Sequence, residues 1–125
     1  MTPRPLLKKI LIVDDDKEML VLMGAILKEH YDVIFAGDGL KAIERSNENL
    51  FDLILMDIRM PFFSGFWFCD AFKHRSKTRD VPVIMISSLS DESNIRKAFE
   101  MGATGYLKKP FQPEELLEAV KKVLV

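Results

Sequence analysis

Five short apolar runs, each followed by a segment of helical spacing, leave this chain few folds to choose from. The runs are residues 10–13, 33–36, 53–56, 83–86 and 105–107. The third, Leu-Ile-Leu-Met, runs straight into Asp57. A short run with no polar alternation suits a strand buried on both faces, as in a parallel sheet. Between the runs, Met19, Leu20, Leu22, Met23, Ile26 and Leu27 recur at helical spacing, and Asp16 is placed to cap that helix. Leu40 and Ile43 mark a second helix after the Asp38-Gly39 turn signal. Phe66, Cys69 and Phe72 mark a third, ending near His74. Ile95, Ala98 and Phe99 mark a fourth, stopped by Gly102. The fifth starts at Pro113 and buries Leu116, Leu117, Val120 and Leu124. Strand and helix alternating five times predict an α/β fold, a parallel sheet doubly wound with five helices and joined by right-handed crossovers.

In such a sheet the carboxyl ends of all strands share one edge, where ligands bind. That edge collects Asp14 and Asp15 from the first strand, Asp57 from the third, Ser87 from the fourth and Lys109 from beyond the fifth. Three carboxylates brought together raise one another's pKa unless a cation intervenes. Oxygen ligands without histidine or thiolate favour Mg2+, with Mn2+ as an alternative. Magnesium also binds phosphate oxygens, so the set points to phosphoryl chemistry. Asp57 would be the nucleophile, Lys109 would offset charge on the phosphoryl oxygens, and Ser87 would donate a hydroxyl.

Each residue has a plainer reading. Three acids in a row commonly form a solvated turn or a cap. Lys109 alone would be a surface lysine, and Ser87 a hydroxyl satisfying local backbone. Tyr106 could be a fixed aromatic at the core edge. Cys69, the single cysteine, reads as a small core residue, and having no partner it points to a reducing compartment. With a net charge of −1, broad electrostatic attraction to nucleic acid or anionic membrane is not expected. No apolar segment is long enough to span a bilayer, so the expected location is cytoplasmic.

Taken together, Ile-Leu-Ile-Val-Asp-Asp-Asp, Leu-Met-Asp-Ile-Arg-Met-Pro with Gly65, Ser87, and Gly-Ala-Thr-Gly-Tyr-Leu-Lys-Lys-Pro resemble the receiver domain of bacterial two-component response regulators, the chemotaxis-regulator kind included. The resemblance covers residues 8–124 of a single domain, 1–125. It implies a flavodoxin-like sheet of strand order 2-1-3-4-5. It implies that Asp57 accepts phosphate from a sensor histidine kinase or a histidine phosphotransfer protein. Asp14, Asp15, Asp57 and the backbone carbonyl of Arg59 would hold Mg2+. The Lys109–Pro110 bond would be cis. Ser87 and Tyr106 would be the switch, with the hydroxyl moving toward the phosphate and the ring turning inward. The face of the fourth helix, fifth strand and fifth helix would then bind an output protein or domain, or a second copy. The domain would be a signalling phosphoacceptor, not a turnover enzyme.

Three features depart from the family's common pattern. Arg59 and Leu89 flank the path of an attacking water with neither acid nor amide, which implies a long-lived phosphoryl group. Ser88 stands where alanine is typical. The run Phe62-Phe63-Ser64-Gly65-Phe66-Trp67-Phe68 is unusually aromatic and predicts an exposed patch. Competing functions are a phosphorylation-independent receiver-like interaction module, an aspartyl-phosphate hydrolase and a flavodoxin-like cofactor binder. The hydrolase would want an acid at position 59, and the cofactor binder a Gly-rich loop where three acids stand.

Overall fold

The computed structural model describes residues 6–89 and 91–124. Five strands, β1 (Lys9–Val13), β2 (Asp32–Ala36), β3 (Leu53–Met56), β4 (Val83–Ser87) and β5 (Gly105–Lys108), alternate with five helices. The helices are α1 (Lys17–Leu27), α2 (Gly39–Glu48), α3 (Gly65–Lys73), α4 (Glu92–Glu100) and α5 (Pro113–Val123). All strand pairings are parallel, in the flavodoxin-like order β2-β1-β3-β4-β5.

Alternate residues of the central strands feed two separate cores, because side chains alternate across a sheet. Ile10, Ile12, Leu53, Leu55, Ile84 and Ile86 face Met23 and Leu27 of α1 and Leu116 and Val120 of α5. Leu11, Val13, Ile54, Met56, Val83 and Met85 face Ala42 of α2, the aromatic side of α3 and Ala98 of α4. A strand lined on both sides must be apolar throughout, which is why the runs show no alternation.

Helix ends follow the expected chemistry. Asp16 caps α1 by accepting the Glu18 N–H at 3.0 Å, and Asp38 caps α2 by accepting the Lys41 N–H at 2.8 Å. Gly102, with φ 103°, takes the left-handed conformation that ends α4. Aromatic residues are poor helix formers by up to about 0.7 kcal/mol each. Burying Phe66, Phe68 and Phe72 of α3 returns roughly 1.5–3 kcal/mol per ring, so packing decides.

Three expected helix faces need correction, and in α2 the exposed residue is Leu40. Leu22 of α1 is exposed, beside the still more exposed Val21. In α4 only Ala98 is buried, Ile95 is half-buried and Phe99 is 48% exposed. The neighbouring strand β5 is an edge strand, half-buried itself, so α4 has little apolar surface to cover.

Candidate functional site

Strand register alone brings the first acids together. Val13 pairs with Met56, so the residues that follow, Asp14 and Asp57, leave neighbouring strands side by side. The Asp57 N–H donates to the Val13 carbonyl at 3.0 Å and holds that alignment. The sheet's strand order reverses between β1 and β3, which opens a crevice at their carboxyl ends. Asp14, Asp15 and Asp57 each offer one oxygen there, all within 4.8 Å of one another. Asp14 is 1% exposed and Asp57 7%, whereas Asp15 is open to solvent.

Lys109 arrives from the outer strand. Its N–H donates to the Ser87 carbonyl at 2.9 Å, which fixes the chain just past β5 against the end of β4. The Nζ then lies 2.7 Å from Asp14 Oδ2 and 3.6 Å from Asp57 Oδ2. The Lys109–Pro110 peptide bond is cis. Asp14 Oδ1 accepts the Asp16 N–H at 2.9 Å, so both of its oxygens have protein partners. Asp16, the third acid of the run, caps α1 and does not join the cluster.

Burial pushes the Asp57 carboxyl up to about 6, Lys109 pulls against that rise, and Asp14 adds to it. The backbone N–H groups of Arg59 and Ile58 hold it down further. At neutral pH Asp57 is thus mostly an anion, the form a carboxylate needs to act as a ligand or a nucleophile. The three crowded carboxylate oxygens form a hard-oxygen donor set that suits Mg2+ or Mn2+.

Ser87 is fully buried, and its Oγ accepts the Leu89 N–H at 3.2 Å. The Tyr106 hydroxyl is buried nearby without a hydrogen-bond partner, alone in this among the buried side-chain polar atoms of the described residues. Burial pushes its phenol up. Burial also pushes the Cys69 thiol up to about 11, as befits a core residue rather than a nucleophile.

One positioning residue reads in sequence only as part of a motif, with no role attached. Gly65 opens α3 against the backbone of Asp57 itself, and a Cβ there would lie 2.1 Å from the Asp57 carbonyl oxygen. Its N–H donates to the Ile58 carbonyl at 2.8 Å and closes the loop of residues 59–64. Backbone cannot yield as a side-chain tip can. Gly65→Ala is therefore expected to lower stability by about 2 kcal/mol in urea unfolding. An unchanged midpoint would show that the loop moves freely.

The sequence matches the family model for "Response regulator receiver domain" over residues 10–121. It is 34% identical to the phosphate regulon transcriptional regulatory protein PhoB of Escherichia coli over 118 residues, 94% of this chain and 52% of that protein. The chain thus spans about half the length of the curated relatives it matches. Among solved structures, the chemotaxis protein CheY4 of Vibrio cholerae superposes with a TM-score of 0.90 at 32% identity, covering 94% of this chain and 98% of that one. The BeF3-activated receiver domain of DrrB gives 0.87 at 34% identity, covering 95% and 98%.

Proposed function

The chain belongs to the response regulator receiver family, a family of two-component signalling domains, and from that we propose that its pocket takes a phosphoryl group onto Asp57. The observation that carries this reading is the recessed Asp57 carboxylate with Lys109 Nζ at 3.6 Å and two further acids in reach. In the step, an Asp57 oxygen bonds to phosphorus while the bond from phosphorus to a donor imidazole nitrogen breaks. That nitrogen then takes a proton from water. Mg2+, held by Asp14, Asp15, Asp57 and the Arg59 carbonyl, would supply positive charge for the phosphoryl oxygens. Lys109 supplies a second positive charge from the protein.

The donor is a sensor histidine kinase or a histidine phosphotransfer protein, and the whole of residues 8–124 acts as one cytoplasmic receiver domain. The added group brings about −1.5 to −2 charges and three acceptor oxygens. It would draw Ser87 and settle the unpartnered Tyr106 hydroxyl, shifting the population of the face formed by α4, β5 and α5. That face then meets an output protein or domain, or a second copy. The chain catalyses only its own phosphorylation and dephosphorylation. That DrrB's receiver domain is seen in a BeF3-activated form supports the same chemistry here.

Incubation with acetyl phosphate and Mg2+, followed by intact mass, tests the reading. One added phosphoryl group is expected, and none in EDTA. Arg59, two residues past Asp57, is exposed and Leu89, two past Ser87, is half-buried; neither side chain is an acid or amide that could orient a water, which supports a slow attack by water. The phosphoryl group on the isolated, magnesium-loaded chain is expected to last minutes or more, and Arg59→Asn to shorten that life. A wild-type half-life of seconds would refute the slow-release expectation.

A further inference from the structure

We infer that Phe62, with the stacked pair Phe63 and Trp67, is a docking anchor for the protein that carries the phosphohistidine. The inference rests on Asp57 being the acceptor. It starts from a residue that folding does not explain. Phe62 is fully exposed and has a φ of 71°, and the Phe63 N–H donates to the Pro61 carbonyl at 2.9 Å across it. That is a γ-turn of the positive-φ kind, rare and strained, and strain is greater still for a bulky side chain. Here the ring gains no burial in exchange. Strain that persists without a folding gain points to function.

The neighbouring rings make a rigid base. Phe63 and Trp67 stack at 4.9 Å between centroids, both about half exposed. Phe68, which is buried, meets both edge-on and roots them in the core. Rigid aromatic surface of this kind contributes contact area at low entropic cost and dominates many interfaces.

Position in the chain identifies the occupant. Asp57 is recessed, so a protein donor with a short histidine side chain must press its own backbone against the pocket rim. Phe62 is three residues past Arg59, so their Cα atoms are within about 11 Å. The Gly65–Ile58 hydrogen bond closes the loop and tethers it beside Asp57. A donor seated over Asp57 would lie against this loop, and an apolar helical surface beside its phosphohistidine would meet the rings.

The test compares a macromolecular donor with a small one. The first probe is the kinase that labels the wild-type chain fastest in a panel of autophosphorylated histidine kinases from the same genome. The second is monophosphoimidazole with Mg2+, which has no surface to dock. Phe62→Gly relieves the turn and removes the ring without opening a cavity. It is expected to slow transfer from the kinase by about tenfold or more, the scale of one interface hot spot, while labelling by monophosphoimidazole stays within about twofold. Phe62→Tyr should restore transfer. Equal rates from the kinase for wild type and Phe62→Gly would overturn the proposal. So would an equal fall with both donors, which would mark the loop as support for the pocket. A change confined to self-association in sedimentation would assign the patch to a second copy instead. Labelling of the wild type by monophosphoimidazole but by no kinase also rejects docking and leaves the acceptor reading standing. A wild-type chain labelled by neither rejects the acceptor reading itself.

Discussion

Asp57→Asn is expected to end phosphoryl uptake and, at neutral pH without metal, to make the chain more stable. The first effect follows from the chemistry, because an amide oxygen is too weak a nucleophile to form the acyl phosphate. Intact mass after acetyl phosphate and Mg2+ should show no adduct, and an adduct of wild-type yield would place the acceptor elsewhere. The second effect follows from burial. The carboxyl titrates near 6 in the fold against 3.8 as a free side chain. Between those values the folded state binds the proton more often than the unfolded state does. Stability therefore falls as pH rises through that window, and the loss is complete above it. A rise of this size is worth at most about 3 kcal/mol. Water at the pocket mouth screens part of it, which leaves on the order of 1–2 kcal/mol. Lys109 keeps its closer partner, Asp14, in the variant. Urea midpoints in EDTA should thus fall between pH 4 and 6.5 for the wild type and stay flatter for Asp57→Asn. Mg2+ should reverse the ranking, since a ligand at 100 times its Kd adds about 2.7 kcal/mol to the state that binds it.

The parts of the fold legible in sequence are those fixed by burial on two sides. β3 is found at residues 53–56, as its apolar run predicts. Lys9, Asp32, Ser87 and Lys108 extend the other four strands by one residue each. Their backbones pair while their side chains, being polar, give no apolar signal. Helical spacing overstated α4, because spacing shows which residues share a face and not whether a sheet lies opposite. Phe99 lies one turn from the half-buried Ile95 and stays outside.

The site was legible where it depends on strand ends. Asp14, Asp57 and Ser87 follow from apolar runs meeting polar residues, and a parallel sheet places them on one edge. What depends on loop geometry was not legible. Nothing in the sequence shows that Lys109 lies nearer Asp14 than Asp57, that Gly65 abuts the Asp57 carbonyl, or that Phe62 adopts a strained turn. Pro61 restricts its own φ and removes a donor, but the positive φ falls on the next residue, where no glycine announces it.

Lys109→Ala is expected to lower both the stability of the chain and its phosphoryl uptake. Among the described residues, Lys109 is the cation that touches both buried acids. Its side chain is 15% exposed, and the Asp14 carboxylate it contacts at 2.7 Å is 1% exposed. Removing one partner of such a pair leaves the other buried and unpaired, at a cost of about 3–5 kcal/mol. The opening beside Lys109 admits some water, so a loss of about 3 kcal/mol is expected in urea unfolding with EDTA. Mg2+ should recover part of it by supplying charge to the same oxygens. Phosphoryl uptake should not recover in step. On the proposed function the ammonium would also meet charge that develops on the phosphoryl oxygens, and removing one such group typically slows a reaction by about 10²–10³. Lys109→Arg separates the two roles. It should restore much of the stability, because the charge returns. It should restore little of the rate, because a planar guanidinium does not place that charge where an ammonium does. If Lys109→Ala takes up phosphate from acetyl phosphate at the wild-type rate, the lysine's part is limited to holding Asp14 in place.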